Sequence, residues 1–234
     1  MEWIRLYFIV EGATEEKFVK NILHPHLVTK QIEVKVSMVS TKATGSRINK
    51  GGLVNYERAK KDIIKWLKSD PNPDAYFTTM FDLYALPNNF PEKNKVIKFK
   101  DPYKKVEFLE QNFYDNIYLE TNDRRFIPYI QLHEFETFLF VQPELLADTF
   151  FEEKNKTDKF KLILKNNQDN PELIDEGRTT APSKRIIALY PKYQYKKADI
   201  APLITQKIGI EALRKNCRHF NDWITKLENL CPNA

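Results

Sequence analysis

Three apolar, strand-like runs in this 234-residue chain end in acids. Residues 6–10 lead into Glu11-Gly12, residues 75–81 into Asp82, and residues 126–132 into His133-Glu134-Phe135-Glu136. A carboxylate at the tip of a buried strand is costly unless something binds it. Clustered carboxylates serve two chemistries: holding Mg²⁺, a hard cation that takes oxygen ligands, and general acid–base work with one carboxyl kept protonated. Cleavage of a nucleic-acid strand uses both, and a pair of ions about 3.5–4 Å apart can clamp the attacking and leaving oxygens. Each residue also has a plain structural role open to it. Glu11 can be a turn acid bonded to backbone N–H groups, Asp82 a loop cap, and Glu134 and Glu136 surface acids flanking a buried Phe135. His133 can be a satisfied structural histidine, and Glu15 a first-turn acid favoured by the helix dipole.

The elements that must position these acids follow from periodicity. After residues 6–10, Phe18, Val19, Ile22 and Leu23 fall on one helix face, with Thr14 as the expected cap and His24-Pro25 as the expected stop. Val34, Val36 and Met38 alternate with polar residues as a half-exposed strand. Residues 40–52 are polar, with Lys42, Arg47 and Lys50, and read as a mobile basic loop of the kind that can close over phosphates. Tyr56, Ile63 and Leu67 mark a helix broken by Asp70-Pro71-Asn72-Pro73. Asp101-Pro102 opens another, with Val106, Leu109 and Phe113 inside. Pro128 places the fourth strand at an edge or makes its start irregular.

Strands separated by helices predict an α/β fold, a mainly parallel sheet with helices on both faces. That core spans 1–141, and 142–234 form a helical extension packed against it. Expected helices there are 143–149, 159–164, 171–175, 182–190, 202–208, 211–216 and 221–230, with Gly209 a terminator.

Hydrophobic residues make up 42% of the chain, enough for a core, and no apolar run reaches the roughly 18 residues of a membrane span. The start of the chain lacks signal-peptide features, so a cytoplasmic protein with Cys217 and Cys231 as reduced thiols is expected. Charge is uneven. Residues 181–234 carry 10 Lys+Arg against 4 Asp+Glu, and the remainder 27 against 28. Such asymmetry fits a polyanion-facing C-terminal part or a solvated helical surface. Around residues 179–185, Lys184 and Arg185 sit in a helix first turn, where cations oppose the dipole. A bound anion would reverse that sign, which makes Thr180, Ser183, Lys184 and Arg185 a candidate phosphate site. Arg214, Lys215 and Arg218 beside His219, Phe220 and Trp223 suit backbone contact plus base stacking, or plain helix packing.

With these residues in view, the sequence resembles the Toprim superfamily of topoisomerases, primases and overcoming-lysogenization-defect nucleases. Val10-Glu11-Gly12-Ala13-Thr14-Glu15 and the Asp82 that ends a hydrophobic strand carry the likeness. A closer likeness covers nearly the whole chain through EGATEEKF, FDLYALPNNFP, IPYIQLHEFETFLF, TAPSKR and LRKNCRHFNDW. It is to a Toprim branch labelled a domain of unknown function and encoded beside AAA/ABC-type ATPases in PARIS-like phage-defence operons. The resemblance implies a metal-dependent nuclease using one or two Mg²⁺ or Mn²⁺ ions. Glu11 would be the general acid/base or a ligand, Asp82 the metal aspartate, and Glu134 and Glu136 the completing acids, with Gly12, Glu15, Tyr84 and His133 in support. Tyr84 stands where typical Toprim enzymes have a second aspartate. A phenol with a pKa near 10 is a poor Mg²⁺ ligand at neutral pH, so Glu134 or Glu136 would have to supply that oxygen. The partners expected are nucleic acid, DNA or RNA, an AAA/ABC-type ATPase and a second copy in a homodimer, with no membrane. A non-catalytic Toprim-like module docking on an ATPase or nucleic acid is the alternative.

Overall fold

The computed structural model describes residues 3–40, 53, 55–150, 156–175 and 177–231. The basic loop expected over 40–52 therefore lies outside the described residues beyond Ser40.

The sheet is parallel. Strand β1 (Ile4–Val10) pairs with β2 (Ile32–Met38) on one side and β3 (Ala75–Asp82) on the other, and β3 pairs with β4 (Phe126–Ile127) and β5 (Ile130–Gln131). The order 2-1-3-4 means that the chain leaves β1 toward one edge and leaves β3 toward the other. The crevice between the carboxyl ends of β1 and β3 is thus the switch point where open α/β sheets bind ligands. β1 is buried on both faces, as its unbroken apolar run requires. Leu6, Phe8 and Val10 enter one core and Tyr7 and Ile9 the other.

The second core is covered by α3 (Tyr56–Ser69) and α4 (Pro102–Thr121), capped by Asn55 and Asp101, whose side chains accept from Glu57 and Tyr103 N–H at 2.8 and 2.9 Å. The first core is covered by α1 (Ala13–Phe18), α2 (His24–Val28) and the C-terminal helices. These are α5 (Glu144–Thr149), α6 (Thr157–Asn166), α7 (Pro182–Leu189), α8 (Lys197–Ile208), α9 (Ile210–Asn216) and α10 (Arg218–Glu228). Helices lie on both faces, and the C-terminal region joins the same core as β1. Among the described residues no helix is long and apolar enough to cross a membrane. Cys217 is buried and Cys231 half-buried, both free.

Four expectations change. Gly12, not Thr14, is the N-cap of α1, and no side chain caps it. Pro25 does not stop the helix, because a π turn over Val19–Leu23 precedes it and α2 continues to Val28. A wider turn of this kind accommodates the donor that proline lacks. The fourth strand is split, with Pro128 and Tyr129 between β4 and β5. Thr79 Oγ1 takes over there, accepting from Tyr129 N–H and donating to its carbonyl, both at 3.0 Å. Finally, α8 starts five residues before Pro202. Pro202 cannot donate to the Ala198 carbonyl, which accepts from the Lys17 ammonium at 3.0 Å instead.

Candidate functional site

Glu11 follows β1 and Asp82 ends β3, so parallel pairing brings both to the same rim. The Asp82 backbone N–H donates to Glu11 Oε2 at 3.2 Å. Glu15 is the third residue of α1 and is only 6% exposed. Its carboxylate reaches back to the N–H of the N-cap Gly12, half of a capping box. A Cβ on Gly12 would stand 3.4 Å from that carboxylate, so glycine leaves Glu15 room to fold back.

Glu134 and Glu136 do not continue a strand. They flank Phe135 where an extended segment enters a 3₁₀ turn over Phe135–Phe140. Phe135 is held in the core, 5.3 Å from the Phe18 ring, and both acids line the same cavity. Glu11, Glu15, Asp82, Glu134 and Glu136 together border this cavity of ≈ 690 Å³. Lys197, at the start of α8, is its one lining cation among the described residues, 3.1 Å from Glu136 Oε1. Tyr193 donates to the same oxygen at 3.1 Å.

Four of the five carboxylates around this lysine are held above the usual carboxylate range. Burial raises the pKa of Glu11, opposed by N–H bonds from Asp82 and Leu53 and reinforced by the charges of Glu134 and Glu136. Burial, then the charge of Glu11, pushes Glu15 up to about 8. Asp82 goes well above the usual carboxylate range through burial and then Glu11 and Glu15. Glu134 is raised by burial and Glu136, against the help of Ser183 and Lys197. Asp82 Oδ1 is buried and receives no hydrogen bond. An oxygen-only donor set with an orphaned buried carboxylate oxygen fits a hard divalent cation such as Mg²⁺ or Mn²⁺. Among the described residues, no three His, Cys, Asp or Glu side chains stand together as a ready-made ligand set.

Other sequence candidates fall elsewhere. Tyr84 is 40% exposed and is not among the residues that line the cavity; its N–H donates to the His133 carbonyl at 2.9 Å. His133 Nε2 lies 3.0 Å from the Glu172 carbonyl. The helix start at Pro182 does receive an anion, but that anion is the chain's own. Ser183 N–H and Oγ donate to Glu134 at 2.8 and 3.0 Å. Arg185 donates to the Thr180 carbonyl and faces Asp175, while Lys184 is exposed. Arg214 belongs to a different place, bound to Glu228, Asn221 and Thr225 of α10.

Lys197 and Tyr193 were not among the sequence candidates, and a Lys196-Lys197 pair looks like any solvated run. The burial of Glu15 did have a signal. It sits three residues before Phe18, on the stripe that continues through Val19 and Ile22.

The chain belongs to the DUF4276 family. This domain of unknown function matches residues 10–228, from the last residue of β1 to the last of α10, so the whole rim falls inside the family's domain. No curated protein and no solved structure matches the chain.

Proposed function

We propose that this chain hydrolyses phosphodiester bonds in nucleic acid, using one or two divalent cations at the β1–β3 rim. The observation that carries the reading is the gathering of Glu11, Glu15, Asp82, Glu134 and Glu136 around one cavity that Lys197 alone offsets among the described residues. A bound Mg²⁺ or Mn²⁺ would polarise a phosphoryl oxygen and neutralise charge that develops there. Asp82 would be the first ligand, since its Oδ1 is buried without a donor. Glu11, beside Asp82, would share the ion, and Glu134 or Glu136 would supply the oxygen that Tyr84 does not. Glu15, with a pKa of about 8, holds a proton near neutral pH and is suited to give it to a leaving oxygen. Lys197 offers its ammonium to the phosphate. The likeness of residues 10–15 and Asp82 to Toprim nucleases supports the same chemistry, and the closer likeness, to a branch encoded beside AAA/ABC-type ATPases, supports such an ATPase as partner.

One observation favours a second reading, a non-catalytic module that docks on an ATPase or nucleic acid. It is the lack of a ready-made ligand trio among the described residues. Labelled DNA and RNA incubated with Mg²⁺, Mn²⁺ or a chelator, with and without an AAA/ABC-type ATPase, separate the two. The nuclease reading expects cation-dependent cleavage that Glu11→Gln and Asp82→Asn abolish without loss of circular-dichroism signal, and binding that weakens steeply with salt. Cleavage that survives both substitutions, or binding without cleavage in every condition, would overturn it.

A further inference from the structure

The side chain at the mouth of the acidic cavity that packing does not explain is Tyr195. It lines the cavity yet is 85% exposed, and among the described residues its ring stacks on no other. The backbone that carries it is tied on both sides. Tyr193 and Lys197, two residues to either side, both bond to Glu136 Oε1, at 3.1 Å each. One carboxylate of the rim thus pins both flanks of a short segment whose 3₁₀ turn runs from Pro191 to Tyr195. Tyr193 turns inward and is fully buried, while Tyr195 turns outward. Met38, at the end of β2 and 47% exposed, is a second large apolar group on the same lining. A solvent-facing aromatic ring on an anchored segment, beside phosphate-directed chemistry, can serve as a stacking platform. Ordering it on binding costs little entropy, because tyrosine has only two side-chain torsions.

Resting on the nuclease reading, we infer that Tyr195 stacks on a nucleobase next to the scissile phosphate, so that the substrate is nucleic acid with unpaired bases at the cut. A paired base hides both faces in the duplex stack and offers only its edges to a groove. A ring at the mouth of a cavity can cover a base face only where the strand is open. Every base has a π face, so this contact selects for unpaired structure rather than sequence.

The test uses the full chain with Ca²⁺ and a fluorescein-labelled unpaired oligonucleotide containing 2-aminopurine, as DNA and as RNA, against the same strands annealed. Anisotropy gives affinity, and quenching of 2-aminopurine reports stacking. Tyr195→Ala is expected to weaken unpaired-strand binding by about 5- to 150-fold, the roughly 1–3 kcal/mol of one base–aromatic stack. It should also remove the quenching, and Tyr195→Phe and Tyr195→Trp should retain both. Duplex binding should be weaker and should change less than about twofold on Tyr195→Ala, as for a surface substitution. Unchanged affinity and quenching in Tyr195→Ala, or equal loss for paired and unpaired strands, overturns the stacking inference while wild-type cation-dependent cleavage leaves the nuclease reading standing. A wild-type chain that neither binds nor cleaves any strand removes both.

Discussion

Glu172 and Asp82 are both buried acids, in surroundings of opposite kind. Glu172 accepts from the Tyr103 hydroxyl at 2.9 Å and from the N–H groups of His219 and Phe220 at 3.0 and 3.1 Å. It caps the start of α10, where free N–H groups favour negative charge. Burial still raises its pKa, but those donors and His219 oppose the rise. Nearby, burial works against a charged His219, and Glu110, 3.0 Å away, outweighs it so that the imidazole pKa goes up. Asp82 has an oxygen without a donor and four other acids adding to its pKa. A carboxylate used by the fold is surrounded by donors. Asp82 is instead surrounded by like charge, which a proton or a cation would relieve.

The largest expected effect comes from breaking the second region. Asp82→Asn should lower cleavage by roughly 100-fold or more, about 3 kcal/mol of transition-state stabilisation. The melting temperature of the metal-free chain should stay level or rise. Kinetics and thermal unfolding measured on one preparation check this, and a joint fall in rate and stability would make Asp82 a structural acid like Glu172.

Glu172→Ala should do the reverse. Two N–H groups and a phenol lose their acceptor, so a loss of about 2–4 kcal/mol is expected in denaturant unfolding. Divalent-cation affinity, read by calorimetry, should not move.

The pH dependence sharpens the contrast. Glu15 ionises near 4.5 when unfolded and at about 8 when folded. Between these values the folded chain keeps a proton that the unfolded chain has released, so stability falls as pH rises. The slope approaches about 1.4 kcal/mol per pH unit for one proton. Unfolding midpoints at pH 5, 6, 7 and 8, measured in a chelator, should show this decline, and Glu15→Gln should remove one proton's share.

The smallest effect belongs to Tyr84→Phe. With the ring outside the cavity, the cleavage rate should stay within about twofold, as for an ordinary surface change.

Much of the rim was legible in the sequence because apolar runs that stop at a carboxylate mark both strand and tip. Residues 6–10 with Glu11 and 75–81 with Asp82 predict β1 and β3 to within two residues, and Asp101-Pro102 marks the start of α4. Features set by distant partners were not legible. Glu134 meets Ser183 across 49 positions, so the helix start that resembles a phosphate site is already filled from within. Proline read as a boundary misled twice, because a π turn before Pro25 and Lys17 on the Ala198 carbonyl make up for the missing N–H groups. Lys197 reaches Glu136 from 61 residues away, and no local pattern carries that pairing.

The proposed nuclease requires that the rim acids hold a divalent cation. Crystals soaked in Mn²⁺ and measured at the manganese absorption edge test it most directly. An anomalous peak within ligand distance of Asp82 Oδ1 and at least one of Glu11, Glu134 and Glu136 is the predicted result. A cavity without a peak at saturating Mn²⁺, in a crystal where the five acids keep the positions described, would contradict it.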